Sequence, residues 1–376
     1  MEKLKYFGTK QSDVFISNKI QILKKEIVKL NFYLIIAITN TAKNKGISAV
    51  CMDSDSGIIT PLADAEFLLF GPKQDYRYKL PLLKAGVTPA LISYVCARLI
   101  NADVVVVPIG IRKSPYFSHL NIEAENSIPS ECVSTGKAMQ RFRVANLFDK
   151  GFKIGRSSQN PIFISESVPG GTTTAQAVME AIGYDVSHLT GSSLLNSPRK
   201  LKREIIDKGI SKANLNTNSD PFNIISALGD PFQAFSMGLL IGARKKGKMV
   251  ILSGGSQMIA LLALALELIS SAEKKLFADN VFVFTTNWLV RDNKLNSFLN
   301  LVSTKHDVDL FGIGSCLDFN SSKYQELLDY EKGYVNEGVG AGGFSILAHL
   351  RGYEYKEIVS SCEYNLERMI DMSQII

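Results

Sequence analysis

The chain has 376 residues, of which 46% are hydrophobic and 21% charged, the composition of a globular protein with a sizeable core. Its net charge of +6 is spread along the chain, and the tightest basic run, Arg244-Lys245-Lys246-Gly247-Lys248, falls where a helix gives way to a strand, so nucleic acid is not an expected partner. Five scattered cysteines without a C-x-x-C, four histidines without metal-ligand spacing, an N-terminus without a signal-peptide core and a most apolar run, Met258 to Ile269, that is short and carries Glu267 lead to the expectation of a reduced, cytoplasmic protein with no metal, no disulfide framework and no membrane span.

Residues 1–30 are Lys-rich and place Ile16, Ile20, Leu23 and Ile27 on one helical face. This segment is expected to lie apart from the main sheet, in a small helical subdomain shared with part of the C-terminus. Phe32 to Ile38 and Ile47 to Cys51 read as buried strands. The acidic turn Asp53-Ser54-Asp55-Ser56-Gly57 follows, where a solvated Asx turn is favoured over a site for a ligand hydroxyl. Glu66 to Phe70 reads as a short strand, and Thr88-Pro89 opens a helix through Arg98 with Thr88 as its N-cap. Asp103 to Pro108, with four successive valines, is a central strand. Residues 109–160 are mixed, with a helix around Lys137 to Lys150; irregular stretches of this length in α/β proteins often cover a binding site.

Ile162 to Gly183 is the most informative stretch. Ile162-Phe163-Ile164-Ser165 has the composition of a strand buried on both faces. Glu166, Pro169, Gly170 and Gly171 follow, then Thr172-Thr173-Thr174 opens a helix that stops at Gly183, with a Thr as the expected N-cap. A strand, a glycine turn and a helix N-terminus can cradle a phosphate, because glycines let backbone N–H groups approach an anion and the helix dipole favours negative charge. A tight βα connection fits the spacing equally well. The motif is neither G-x-G-x-x-G nor a Walker sequence.

Ser197-Pro198 starts a basic helix whose Lys202 either reaches a phosphate or belongs to a solvated face. Pro231 to Lys246 is a further helix, and Met249 to Leu252 a strand. The small-residue turn Ser253-Gly254-Gly255-Ser256 then leads into a helix from Gln257 to Lys274. Val281 to Thr285 and Val308 to Ile313 are strands. About eight strand candidates alternate with helices, which gives an α/β fold over residues 31–376: a doubly wound, mainly parallel sheet, helices on both faces, ligands at the strands' carboxyl ends. In Asn336-Glu337-Gly338-Val339-Gly340-Ala341-Gly342-Gly343 the acid stands among Gly, Ala and Val. Burial there would raise its pKa and suit a general base, whereas an exposed Glu at a helix start is the equally compatible alternative.

Glu166-Ser167-Val168-Pro169-Gly170-Gly171-Thr172-Thr173-Thr174-Ala175 and Glu337-Gly338-Val339-Gly340-Ala341-Gly342, together with Gly86-Val87-Thr88-Pro89-Ala90 and Ser253-Gly254-Gly255-Ser256-Gln257, stand in the order and spacing of one family. From about residue 32 to its end the chain resembles the nicotinate-nucleotide–dimethylbenzimidazole phosphoribosyltransferase (CobT) family, in its archaeal and cyanobacterial branch. The resemblance implies transfer of phosphoribose from nicotinate mononucleotide to a nitrogenous base, giving nicotinate and the α-linked nucleotide that becomes the lower ligand of a cobamide. It gives Glu337 the role of taking the proton from the attacking base and places Glu166 with the loop that binds the phosphate and ribose, where the chemistry of an N-glycosidic bond suits its carboxylate to stabilise positive charge on the ribose. Gly170, Gly171, Thr172, Thr173, Thr174 and Lys202 would hold the phosphate and ribose, with Gly254, Gly255, Gly338 and Gly340 completing the substrate-binding set. It further implies a homodimer and no cofactor.

The K-P-P-G-S-L-G signature of bacterial members is absent, and Ser253-Gly254 stands where they have Asp-Gly. Both departures fall on the base-binding side, so the acceptor stays open between 5,6-dimethylbenzimidazole and adenine. Two other readings remain: a non-catalytic nucleotide-binding protein, which would bind without releasing nicotinate, and another phosphate-using transferase such as a sugar kinase, which would need ATP and Mg²⁺.

Overall fold

The computed structural model describes residues 4–9, 12–51, 56–81, 83, 85–112, 114–123, 127–192, 194–215 and 219–373. Seven strands, β1 (Lys5–Gly8), β2 (Asn31–Ala37), β3 (Val104–Ile109), β4 (Ile162–Ser167), β5 (Val250–Ser253), β6 (Val281–Thr285) and β7 (Phe311–Gly314), form one sheet in the order β1-β7-β6-β5-β4-β2-β3. All neighbours are parallel except β1, which runs antiparallel to β7 along the edge. Apolar residues alternate between two buried layers: Ile162, Ile164, Val250 and Leu252 face one, Phe163, Ile251, Phe282 and Phe284 the other. Helices cover both, as a parallel sheet requires. Among the described residues no helix is long and apolar enough to cross a membrane.

The central expectation, a mainly parallel α/β sheet, matches this architecture, and five local readings need correction. The four-valine strand, expected at the centre, is β3 at the sheet's edge, with Val104 and Val105 half-buried and only β2 beside it. Glu66 to Phe70 is the last part of helix Ser56–Phe70, not a strand. That helix packs apolar residues around most of its circumference, which erases the one-sided pattern by which a helix is recognised. Ile47 to Cys51 is a turn with buried Ile47 and Cys51 at its ends, where Ser48 Oγ donates to Cys51 Sγ. The long helix expected from Gln257 to Lys274 is two helices, Ser256–Leu268 and Lys274–Asp279. Finally, helix Asp13–Glu26 does not lie apart from the sheet: Leu23 and Ile27 are buried with Phe32 and Phe282, and Phe15 meets Phe311 of β7 edge-on. Of the acidic turn, Asp53, Ser54 and Asp55 lie outside the described residues.

One helix pair fixes the rear of the site. Helices Arg141–Ser157 and Pro231–Lys245 approach so closely that a methyl group on Gly151, Gly155, Gly238 or Gly242 would stand 2.0–2.3 Å from a backbone oxygen of the other helix. The second of these helices begins with Asp230 in a capping box, its carboxylate accepting from Gln233 N and its own N–H donating to Gln233 Oε1.

Candidate active site

The carboxyl ends of β4, β5 and β6 open into one cavity of about 1130 Å³. Glu166 and Ser167, at the end of β4, face it, because the β4 register beside β2 runs to Ser167 and leaves no further pairing beyond. The next residues turn sharply. Gly170 sits at φ +81°, a left-handed conformation costly for any residue with a Cβ, and helix Gly171–Ala181 starts immediately after it. The N-cap is therefore Gly170 and not a threonine. Gly171 N–H bonds to Val168 O and Thr173 N–H to Gly170 O, whereas the Gly170 and Thr172 N–H groups meet no acceptor among the described residues.

Glu337 enters from the other side, on the loop before helix Ala341–Leu350. Its carboxylate accepts four hydrogen bonds: Thr285 Oγ1 (3.2 Å) and Thr286 N (2.9 Å) at the end of β6, and Gly338 N (3.1 Å) and Gly342 N (3.2 Å) of its own loop and helix. Desolvation outweighs these donors and pushes the pKa up from 4.5 to about 7. The loop is tied to β4 by Val339 N donating to Glu166 O and to β5 by Ser253 Oγ donating to Gly340 O.

Burial also raises Glu166, to about 8, and the charges of Asp230 and Glu337 push in the same direction; the Val168 N–H and the Gln257 side chain donate to it and pull back. Lys202, on helix Arg199–Ala213, is 1% exposed, and burial lowers its pKa to about 7. Its Nζ donates to Thr172 Oγ1 (3.1 Å) and Gly191 O (2.8 Å), so it braces the glycine-threonine turn from beneath.

Of the residues singled out in the sequence, Glu166, Gly170, Gly171, Thr172, Gly255, Glu337 and Gly338 line the cavity together. The others do not. Thr173 and Thr174 point into the protein, Thr174 Oγ1 donating to Gly171 O and to Asp230. Lys202 lies behind Thr172. Gly254 hydrogen-bonds to Phe284 O, and Gly340 packs where a Cβ would stand 2.7 Å from Ser165 Cβ. These five shape the backbone that lines the site.

Two further carboxylates carry no conspicuous mark in the sequence. Asp64 lines the cavity from helix Ser56–Phe70, accepting from Thr88 Oγ1 (2.8 Å) and Ser167 Oγ (2.8 Å), and burial raises its pKa to about 6. Reading part of this helix as a strand hides the face on which Asp64 stands. Asp230 is fully buried behind Thr174, with its pKa likewise raised to about 6 by burial; the Asp-Pro start of its helix is the available signal. Thr88 Oγ1 also accepts from Ala90 N, but the N-cap of helix Ala90–Leu99 is Pro89 and not Thr88. The cavity is also lined by apolar Leu80, Pro81, Leu195, Met369 and Ile370 and by the cations Lys73, Lys79, Arg199 and Lys294.

A family model described as phosphoribosyltransferase matches residues 88–280. A UPF0284 protein of Prochlorococcus marinus subsp. pastoris is 58% identical over 372 residues, covering 99% of this chain and 97% of its own. A UPF0284 protein of Crocosphaera subtropica is 34% identical and covers 85% and 87%. Among solved structures, CobT from Thermus thermophilus superposes with a TM-score of 0.57 over 95% of this chain and 92% of that one; at 13% identity this is a likeness of fold.

Proposed function

Since the chain belongs to the phosphoribosyltransferase family and groups with the UPF0284 proteins, we propose that it moves phosphoribose from nicotinate mononucleotide to a purine or benzimidazole base, releasing nicotinate and forming an α-linked nucleotide of the kind used as a cobamide lower ligand. The observation that carries this reading is the Glu337 carboxylate, fixed by four donors at the cavity wall opposite a turn with unused N–H groups. A phosphate on Gly170 and Thr172 N–H at the start of helix Gly171–Ala181 would bring the ribose toward Glu166. As the glycosidic bond lengthens, positive charge grows on the ribose and the Glu166 carboxylate stabilises it. Glu337 accepts the proton of the incoming nitrogen, a step worth ~10²–10⁴ in rate for a well-placed base. Apolar side chains of the cavity such as Leu80, Leu195 and Met369 offer a flat heterocycle a surface to cover.

A second copy of the chain is part of the proposal on the strength of the resemblance alone, because the apolar face of helix Asp13–Glu26 is already covered within the chain. The decisive experiment incubates the protein with nicotinate mononucleotide and a panel of bases and follows nicotinate by chromatography. Release that depends on the base is expected; none with any base would overturn the proposal.

A further inference from the structure

We infer that the protein carries a second binding site, outside the catalytic cavity, for a phosphorylated aromatic molecule of nucleotide size. The inference stands on its own residues and does not depend on the reaction proposed above.

The site is a separate cavity of about 470 Å³, within the range of small-molecule sites, roughly 300–1,000 Å³. It lies at the carboxyl ends of β2 and β3, where Ile38 follows one strand and Ile111 the other, and such strand ends are where parallel sheets take their ligands. A thin wall divides it from the larger cavity. Helix Ser56–Phe70 turns Ile58 and Leu62 toward the small cavity and Thr60 and Asp64 toward the large one, because residues four apart share a helix face and residues two apart do not. The segment after this helix alternates in the same way, with Arg77 and Tyr78 on one side and Tyr76 and Lys79 on the other. Among the described residues none lines both cavities.

The walls are fixed by the chain itself. Arg77 N and Tyr78 N donate to the buried Glu66 carboxylate at 3.0 and 2.8 Å. On the opposite rim Ser130 N donates to Ile38 O and Asn40 N to Ser130 O, which holds Pro129 in place. The cavity is therefore shaped before a ligand arrives.

Its lining combines two chemistries. Ile38, Ile58, Leu62, Ile111 and Pro129 are apolar, and the charged residues are Lys43, Arg77 and Arg112, with no acid among the described lining residues. Elsewhere the fold ties its arginines down: Arg143 and Arg203 to carboxylates, Arg244 and Arg351 to backbone carbonyls. The side chains of Lys43, Arg77 and Arg112 have no hydrogen bond or ion pair among the described residues, and Glu66 behind the wall is already paired with Lys73. Cations gathered without an acid repel one another, and a bound anion relieves that repulsion. Guanidinium groups match a phosphate with two parallel donors, which a lysine alone does not. Tyr78 adds an aromatic wall, its ring 6.1 Å from that of Tyr116, over which the Arg77 guanidinium lies at 5.5 Å. Inorganic phosphate would leave the apolar wall uncovered, and an uncharged ring would leave the cations unmatched. A ring that carries a phosphate satisfies both.

The test is calorimetry on the full chain carrying Gly170→Val, which obstructs the phosphate turn of the large cavity, with adenosine 5′-monophosphate, adenosine and inorganic phosphate as probes. The monophosphate should bind at least tenfold tighter than either fragment, and less tightly as salt is added. Introducing Arg77→Gln and Arg112→Gln together should weaken it at least tenfold. Labelling of the unaltered chain makes the answer independent of how the variants fold. There the monophosphate should slow phenylglyoxal modification of Arg77 and Arg112 severalfold, read by mass spectrometry, and leave Arg98, which lines neither cavity, unchanged. No binding, an affinity indifferent to the two substitutions, or no protection of either arginine would overturn the inference. Inorganic phosphate binding as tightly as the monophosphate would overturn it too, by reducing the site to simple attraction of anions.

Discussion

Two helices begin at glycine-rich turns beside the same cavity, and their first N–H groups meet different fates. Before helix Gly171–Ala181 the cap is Gly170 at φ +81°, and before helix Ala341–Leu350 it is Gly340 at φ +77°. The turns are close in conformation. At the second, however, the chain's own Glu337 folds back onto Gly338 and Gly342 N–H and takes the place of an external anion. At the first, Glu166 is still in β4 and accepts from Val168 N–H, which leaves Gly170 and Thr172 N–H open. A difference of one residue in where the acid stands before the cap turns one helix start into a receptor and the other into a mount for a base.

Removing the mounted acid breaks this comparison most severely. Glu337→Gln keeps the size of the side chain but cannot take a proton, so turnover should fall ~10²-fold or more while affinity for nicotinate mononucleotide stays near wild type. In the wild type kcat should rise with pH through about 7, and that limb should be missing in the variant. Steady-state rates across pH with two acceptors of different pKa decide this, because a limb that moves with the acceptor belongs to the acceptor. Wild-type turnover by Glu337→Gln would end its assignment as base.

Closing the open helix start comes next. Gly170→Val puts a β-branched residue at a left-handed position and a Cβ 3.1 Å from Ala42 N. Affinity for nicotinate mononucleotide should drop about tenfold or more, equivalent to about 1.4 kcal/mol per factor of ten. Calorimetry measures it, and an unchanged dissociation constant would remove this turn from the binding site.

A third prediction concerns stability. The folded-state pKa values of Glu166 and Glu337, about 8 and about 7, lie above their ordinary 4.5. The folded protein therefore binds more protons than the unfolded chain between these limits, so the stability tied to these groups is complete below about pH 4.5 and is lost as pH rises through 7 and 8. Melting of the ligand-free protein should show this decline, and Glu166→Gln should flatten it. A wild-type stability that rises over the same range by the amount seen in the variant would contradict it.

The smallest effect sharpens the comparison. Thr285→Val removes one of four donors to Glu337 without changing its shape, a neutral hydrogen bond worth about 0.5–1.5 kcal/mol net. The rising limb of kcat should shift upward by less than about one pH unit, with the maximum rate nearly retained. A limb that does not move would mean that Thr285 contributes nothing to holding the ionised form.

The elements legible in the sequence are those whose signal is local. Ile162-Phe163-Ile164 and Val281 to Thr285 mark fully buried strands by composition, four valines in a row mark a strand but not its place at the sheet's edge, and Gly170-Gly171 marks the turn that φ +81° demands. Glu337 is visible because an acid among small residues is conspicuous. What escapes depends on distant partners. Asp64 matters only because Thr88 and Ser167 come to meet it, and Thr174 turns inward because Asp230 waits there. β1, four residues of Lys-Tyr-Phe-Gly, has no strand pattern of its own and is defined by the free edge of β7.

That edge strand has a consequence for how the molecule is made. Thr9, just past β1, bonds to Leu310, which precedes β7, across a separation of 301 residues. β1 must wait for β7, and closing so long a loop carries one of the larger entropic costs in the fold. During synthesis the growing sheet therefore ends on an open flank, first at β6 and then at β7, where an unpaired edge invites other chains. A nascent chain stalled before residue 311 lacks the strand on which β1 docks, so this antiparallel border can close only after β7 has been made.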